Sequence, residues 1–333
     1  MARNSGRRGV KDVAALRDIP QSFFMKTFIP SRFAAFFSLL VVTCTLAAQT
    51  SDDNLWETKN SQEAQAEAQA RIEKIRNEIK SLNGHPWAGE YYHGDGLGVN
   101  VSFYIAPDAG FVFEWRGCLG LYDRNYGTVS FENDLVSINP ILPNRRGAGF
   151  EGIAMEFLPV FWGKRVYMVP SDEVVKFCND INSEREPRKE AHGFFLLRRG
   201  DEKVEVTGFP VLPEKYRPYI LKKPVRVTVI SVGESETKAG RYGGSWIYTT
   251  VTVMAGSKQG LLPGMRMYLV NPEHVSTGLL EVVEVSATSA KVLVRRDADS
   301  KYDQALQAGW QLATCPSYAR ALKKYSGWKT DTQ

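Results

Sequence analysis

Four side chains in this 333-residue chain could carry chemistry: His93, Asp95, Cys178 and His192. A thiol beside an imidazole makes a nucleophile and base, so Cys178 with His192 is the candidate pair for covalent hydrolysis. His93 and Asp95 are the candidates for acid–base work. With four histidines in all, general-base capacity near neutrality otherwise falls to carboxylates. The surroundings argue for quieter roles. Val174, Phe177, Cys178 and Ile181 recur at helical spacing, which places the thiol on an apolar face where it is inert. His85, His93 and Asp95 match no standard metal-ligand spacing, and no Cys/His pattern suggests zinc. Residues 94–98, Gly-Asp-Gly-Leu-Gly, precede a strand, whereas a phosphate cradle follows a strand and opens a helix. They read as a hairpin loop. There is no Gly-x-Ser-x-Gly elbow and no His-Glu-x-x-His helix. The expectation is therefore a protein that is not an enzyme, with no cofactor and no metal, and an envelope hydrolase is the alternative.

Five aromatics form a second candidate set: Trp87, Tyr91, Phe103, Phe113 and Trp115. Either they wall a cup for an apolar ligand or they fill a core.

The elements that must position these residues are mainly strands. Val99, Val101, Phe103 and Ile105 alternate with polar neighbours, as do Phe111, Phe113 and Trp115, and period two marks half-buried strands. Pro107-Asp108-Ala109-Gly110 joins them as a hairpin. Further strands are expected at 129–131, 135–138, 152–157, 165–169, 193–198 and 204–207. One helix interrupts them after Ser171, which reads as its N-cap with Asp172 and Glu173 at the positive end. Pro210, Pro213, Pro218 and Pro224 fall within fifteen residues and mark an extended connector. β pattern resumes at 225, with strands at 225–229, 248–253, 265–270, 279–285, 290–294 and 310–313. The expected architecture is an N-terminal β-barrel or sandwich with one or two helices (85–209), a linker (210–224), a small C-terminal β-barrel (225–316) and a tail (317–333).

Ahead of these lies a polar segment with an amphipathic helix (49–84). Ala68, Ile72, Ile75, Ile79 and Leu82 are spaced 4, 3, 4 and 3, an a/d seam of two to three heptads. It either docks on its own domain or forms a homodimer through residues 64–82. Asn83-Gly84 ends it.

Charge locates the protein. Residues 1–48 contain seven basic and two acidic residues, and the remaining chain has 35 of each. A neutral body offers no concentrated basic face, which argues against nucleic acid. Residues 33–48 carry no charge and follow Lys26 and Arg32, which is the pattern of a secretory signal peptide cleaved after Ala47 or Ala48. Met25 would start such a signal naturally, leaving 1–24 upstream of it. An uncleaved membrane anchor through 33–48 and lipidation at Cys44 are the other readings; Thr43 departs from the lipobox. The expected location is the periplasm or cell envelope. Cys118, Cys178 and Cys315 remain after the leader. An exported chain could bridge Cys118 to Cys178, which share one domain, or Cys178 is a core thiol.

Three resemblances add to this. Residues 87–91, Trp-Ala-Gly-Glu-Tyr, followed by meandering strands, resemble lipocalin-like barrels, which would imply a carrier of an apolar small molecule. Gly256, Gly260 and Gly264, followed by Gly278 to Val283, resemble the small C-terminal barrels of bacterial envelope proteins of the flagellar assembly protein T type. That resemblance covers residues 225–315 at most and implies an interaction module, its glycines turning the chain at positive φ. Segments 94–98, 117–123 and 177–182 resemble exported bacterial envelope proteins without an assigned activity. The expected partner is an envelope protein or the cell wall.

Overall fold

The structure, a computed structural model, describes residues 57–94, 98–146, 152–187, 195–240, 243–271 and 277–316. The leader with Cys44, together with Asp95, His192 and the tail, lies outside the described residues.

The chain is mainly β and forms two closed barrels. The first is an eight-stranded antiparallel meander: β1 (Gly89–Gly94), β2 (Val99–Ala106), β3 (Gly110–Gly117), β4 (Gly120–Glu132), β5 (Leu135–Pro140), β6 (Glu156–Trp162), β7 (Arg165–Pro170) and β8 (Leu196–Arg198). β8 closes on β1, with Tyr92 opposite Leu197. The period-two residues point inward as expected. Val101, Phe103 and Ile105 face Trp115, Phe113 and Phe111 across the β2–β3 ladder. Phe103 stacks 5.9 Å from Phe111 and 5.1 Å from Phe157, centroid to centroid. These inward side chains pack against one another in the core.

Helix α1 (Gln62–Leu82) starts where the Ser61 hydroxyl accepts the Ala64 N–H, and it ends at Asn83 in the left-handed region. Ala64, Ala68, Ile72 and Ile75 are buried, and the helix lies against β2 and β3. Glu78 accepts the N–H groups of Asp108 and Ala109 at the β2–β3 turn. The a/d seam is therefore spent on the chain's own barrel. A homodimer through 64–82 would have to use the remaining polar face.

Before α1, Lys59 pairs with Asp123, both fully buried. The same carboxylate accepts the N–H groups of Arg124 and Gly152. Arg124 in turn donates to the Lys59 carbonyl and to Glu114. Each buried charge thus has both a counter-ion and hydrogen bonds, the condition under which burial is tolerable.

β6 and β7 are apolar on both faces because both are covered. Inward lie Phe157, Val166 and Met168; outward lie Leu158, Val160, Tyr167 and Val169 beneath helix α2 (Val174–Asn182). Phe177 of α2 packs edge-on against Tyr167 and Phe195. The expected cap is corrected here: Glu173, not Ser171, is the N-cap, with no side-chain cap bond. A turn that pairs the Glu173 N–H with the Pro170 carbonyl comes first, and Ser171 bonds back to Glu156. The strand expected at 152–157 instead begins at Glu156 and runs to Trp162. No strand forms at 204–207, where the Val204 carbonyl accepts Arg165 Nε.

The second barrel is six-stranded: β9 (Arg226–Ala239), β10 (Ser245–Val253), β11 (Arg266–Asn271), β12 (Leu279–Val285), β13 (Ala290–Asp297) and β14 (Gln311–Ala313). They close in the order β10-β13-β12-β11-β14-β9. Its core is aliphatic: Val229, Val251, Val253, Met265, Val282 and Val292 are buried. The polar half of β9 was illegible as strand; from Ile230 onward every residue of it is exposed.

Buried asparagines on α2 join this barrel to the first. Asn179 donates to the Gly264 carbonyl (2.9 Å) and accepts the Arg266 N–H (3.0 Å). Asn182 does the same with Tyr219 and Leu221 of the connector. The glycine run serves this packing. Gly260 and Gly264 adopt positive φ, and a Cβ on Gly264 would stand 3.1 Å from Val175 of α2. Gly256 departs from the expected turn role. Its φ is −145°, and a Cβ there would meet the Ser286 carbonyl at 2.2 Å, so close backbone approach requires glycine.

Candidate functional site

Of the residues expected to carry chemistry, the structure describes His93 and Cys178. His93 is buried in β1, opposite Val101. Cys178 lies on the buried face of α2 against the outer face of the sheet, and burial pushes its thiol up to about 12. Near neutrality it is protonated and cannot act as a nucleophile. His85 Nδ1 accepts the N–H groups of Trp87 and Ala88, and burial lowers its pKa, so a neutral ring caps this turn. Among the described residues no group of three His, Cys, Asp or Glu could hold a metal ion.

The Cys118–Cys178 bridge is corrected. Cys118 is exposed in the β3–β4 turn beside the Tyr122 hydroxyl, while Cys178 is on the buried face of α2; neither is in a disulfide. Placement in one domain does not bring two thiols together when one belongs to a turn and the other to the core.

The five aromatics are core. Tyr91 and Phe103 are wholly buried, and Trp87, Phe113 and Trp115 nearly so. Tyr91 donates its hydroxyl proton to the Trp87 carbonyl (2.6 Å). Their surfaces are spent on one another rather than on a cup. Trp87 also lines a surface hollow.

That hollow arises from a break in the sheet. β5 and β6 pair only at Val136–Phe157 and Ser137–Glu156. Beyond them β5 has turned at Asn133 and Asp134, both at positive φ, while β6 continues through Pro159 to Trp162. Proline suits this free edge because it has no N–H to leave unpaired. A strap from the connector then meets the edge. Val211 N–H donates to the Phe161 carbonyl (2.7 Å), and Trp162 Nε1 donates to Gly208 (3.0 Å). Leu212 is buried beneath the strap, and its carbonyl accepts Arg217 Nε.

The strap leaves an apolar hollow on each flank. One, of about 300 Å³, is lined by Trp87, Phe131, Pro159, Phe161 and Val211, with Asp134 and Arg217 as its charged residues. The other, of about 350 Å³, is lined by Phe209, Pro210, Val211 and Ile220, with Arg217 and Lys222 at its rim. Val211 stands between them, 65% exposed, with Phe131 49% and Phe209 40% exposed. Exposed apolar side chains gathered in this way form the most conspicuous candidate contact surface beside the strap.

A third cleft, of about 530 Å³, lies at the end of α1, with Glu90, Arg198 and Arg199 among its lining residues. Glu90 of this cleft lies 4.0 Å from Arg199 and pairs with Arg76 of α1 at 2.9 Å.

Sequence reasoning missed the hollows. It read the four prolines as a spacer, whereas the connector is folded onto β6. The only available signal was Phe209, Val211 and Leu212 among those prolines, more apolar than a spacer needs. Comparison with family models, curated proteins and solved structures gives no match.

Proposed function

We propose that this protein is an exported, non-catalytic contact module of the cell envelope, and that it engages its partner through the paired hollows beside Val211. The observation that carries the reading is the exposure of Phe131, Phe209 and Val211 together around two adjoining apolar hollows. The charge-free run after a basic leader supports export. The filled first barrel and the protonated, buried Cys178 give the carrier and thiol-hydrolase readings no such support.

The test is a photo-crosslinker, p-benzoylphenylalanine, placed at Val211 and, as control, at the exposed Thr237. Irradiation of intact cells should give a discrete adduct from Val211 and none from Thr237. If the Val211 position yields no adduct, the reading fails. N-terminal sequencing of the protein from the envelope should begin near Ala48 or Gln49.

A further inference from the structure

The connector that builds both hollows is locally basic. Residues 210–224 contain Lys215, Arg217, Lys222 and Lys223 against Glu214 alone, in a chain whose charges after residue 48 sum to zero. All four are exposed. Among the described residues none of them forms an ion pair, although Lys215 lies over the Tyr216 ring. Arg217 belongs to the rim of both hollows, and Lys222 to the rim of the second. Asp134, on the opposite rim of the first, is its only acid. Apolar floors therefore sit beside positive charge that the chain itself leaves uncompensated, and the charge is concentrated on the strap side.

From this we infer that the occupant is an extended, acidic polypeptide segment, which crosses the strap at Val211, sets one apolar side chain in each hollow, and turns Asp or Glu toward Arg217 and Lys222. The inference rests on the contact-module reading and adds the partner's chemistry to it. An extended chain suits the site because side chains on one of its faces recur every second residue, about 7 Å apart, so one peptide can straddle a single exposed residue. Charge complementarity of this kind chooses among partners and speeds their encounter more than it tightens the complex. The apolar anchors supply the affinity, and Arg217 and Lys222 supply the selection. Asp134 would repel an acidic residue placed over the first hollow, so the acidic part of the segment belongs on the strap side.

The test selects a phage-displayed library of unbiased heptapeptides on the full-length protein at low salt. The enriched sequences should combine two apolar residues with Asp or Glu. Their binding should fall roughly tenfold in an Arg217→Glu, Lys222→Glu variant, weaken as salt is raised, and disappear in Val211→Asp. The exposed Glu236→Lys, remote in sequence and on the second barrel, should leave binding unchanged. Three results would overturn the inference: enriched peptides without acidic residues, peptides insensitive to the charge reversal, or no enrichment while purified peptidoglycan is retained. In the first two cases the contact module survives if Val211→Asp still abolishes binding. The module itself falls only if crosslinking at Val211 also fails.

Discussion

The two barrels solve the same problem with different residues. The eight-stranded barrel encloses more space and fills it with rings: Tyr91, Phe103, Phe111, Phe113, Trp115 and Phe157. The six-stranded barrel is narrower and is filled by valines, leucines and methionines. Barrel diameter grows with strand number, so side-chain volume must grow with it if no cavity is to remain. The aromatic density of the first domain thus reports barrel size. The same residues, seen only as a cluster of aromatics, resemble the wall of a ligand cup. The barrels differ outside as well. The first is wrapped by α1 and α2, whereas the second extends the bare β9–β10 hairpin.

The sharpest way to break this comparison is to remove one ring. Phe103→Ala should destabilise the chain by about 3–5 kcal/mol, because Phe103 touches both Phe111 and Phe157 and the rigid wall cannot collapse into the gap. Val292→Ala in the second barrel removes two methyl groups and should cost about 2 kcal/mol. Denaturant unfolding measures both. Equal losses would mean that the rings are loosely packed and that the first barrel has room for a ligand after all.

Next in size is the buried ion pair. Lys59→Met leaves Asp123 without its counter-ion and should cost about 3–5 kcal/mol. Lys59→Met combined with Asp123→Asn should cost markedly less, since no uncompensated charge then remains. A double-mutant cycle in urea would decide it, and additive losses would show that the two residues do not act as a pair.

How much of this was legible in the sequence depends on whether a residue's role is local. Period-two alternation at 99–105 and 111–115 reports a residue's own face, and those strands appear where expected. The seam of α1 and its Asn83-Gly84 stop are likewise local. Pairing is not local. The reach of β6 past Pro159 depends on β5 ending early, and the exposed half of β9 is strand only because β10 runs beside it. Nor does sequence reveal which thiols meet, since Cys118 and Cys178 share a domain but occupy opposite kinds of surface. The hollows were hidden for the same reason: they belong to no single segment, but to a turn, a free edge and a strap brought together by the fold.

A smaller effect should appear in alkali. Burial raises the Cys178 thiol from about 9 in the open chain to about 12 in the fold. The folded chain therefore keeps its proton where the unfolded chain loses it. Stability is unaffected below pH 9 and falls as pH rises from 9 towards 12, at up to about 1.4 kcal/mol per pH unit. Burial displaces Tyr91 and Tyr167 in the same direction, so their contribution begins about one pH unit higher. Cys178→Ala should make the fall between pH 9 and 10 shallower. Iodoacetamide at pH 8 should label the exposed Cys118 and spare Cys178. Equal labelling of the two would mean that α2 opens readily, and it would return the thiol to the list of usable nucleophiles.

The smallest expected change separates the barrel's outside from its inside. Val211 is 65% exposed, and its one tie to the barrel is a backbone hydrogen bond to Phe161 that any side chain at this position can keep. Val211→Asp should therefore shift stability by no more than about 0.5 kcal/mol, although it directly precedes the buried Leu212. Leu212→Ala, by contrast, empties a buried site beneath the same strap and should cost about 2–5 kcal/mol. A thermal-unfolding comparison of the two variants checks this. If Val211→Asp proves as damaging as Leu212→Ala, the valine is holding the strap in place and its exposure needs no partner. If it is neutral, an apolar side chain is being kept at a solvent-facing position where the fold does not require it, and contact with another molecule is the physical reason left for keeping it there.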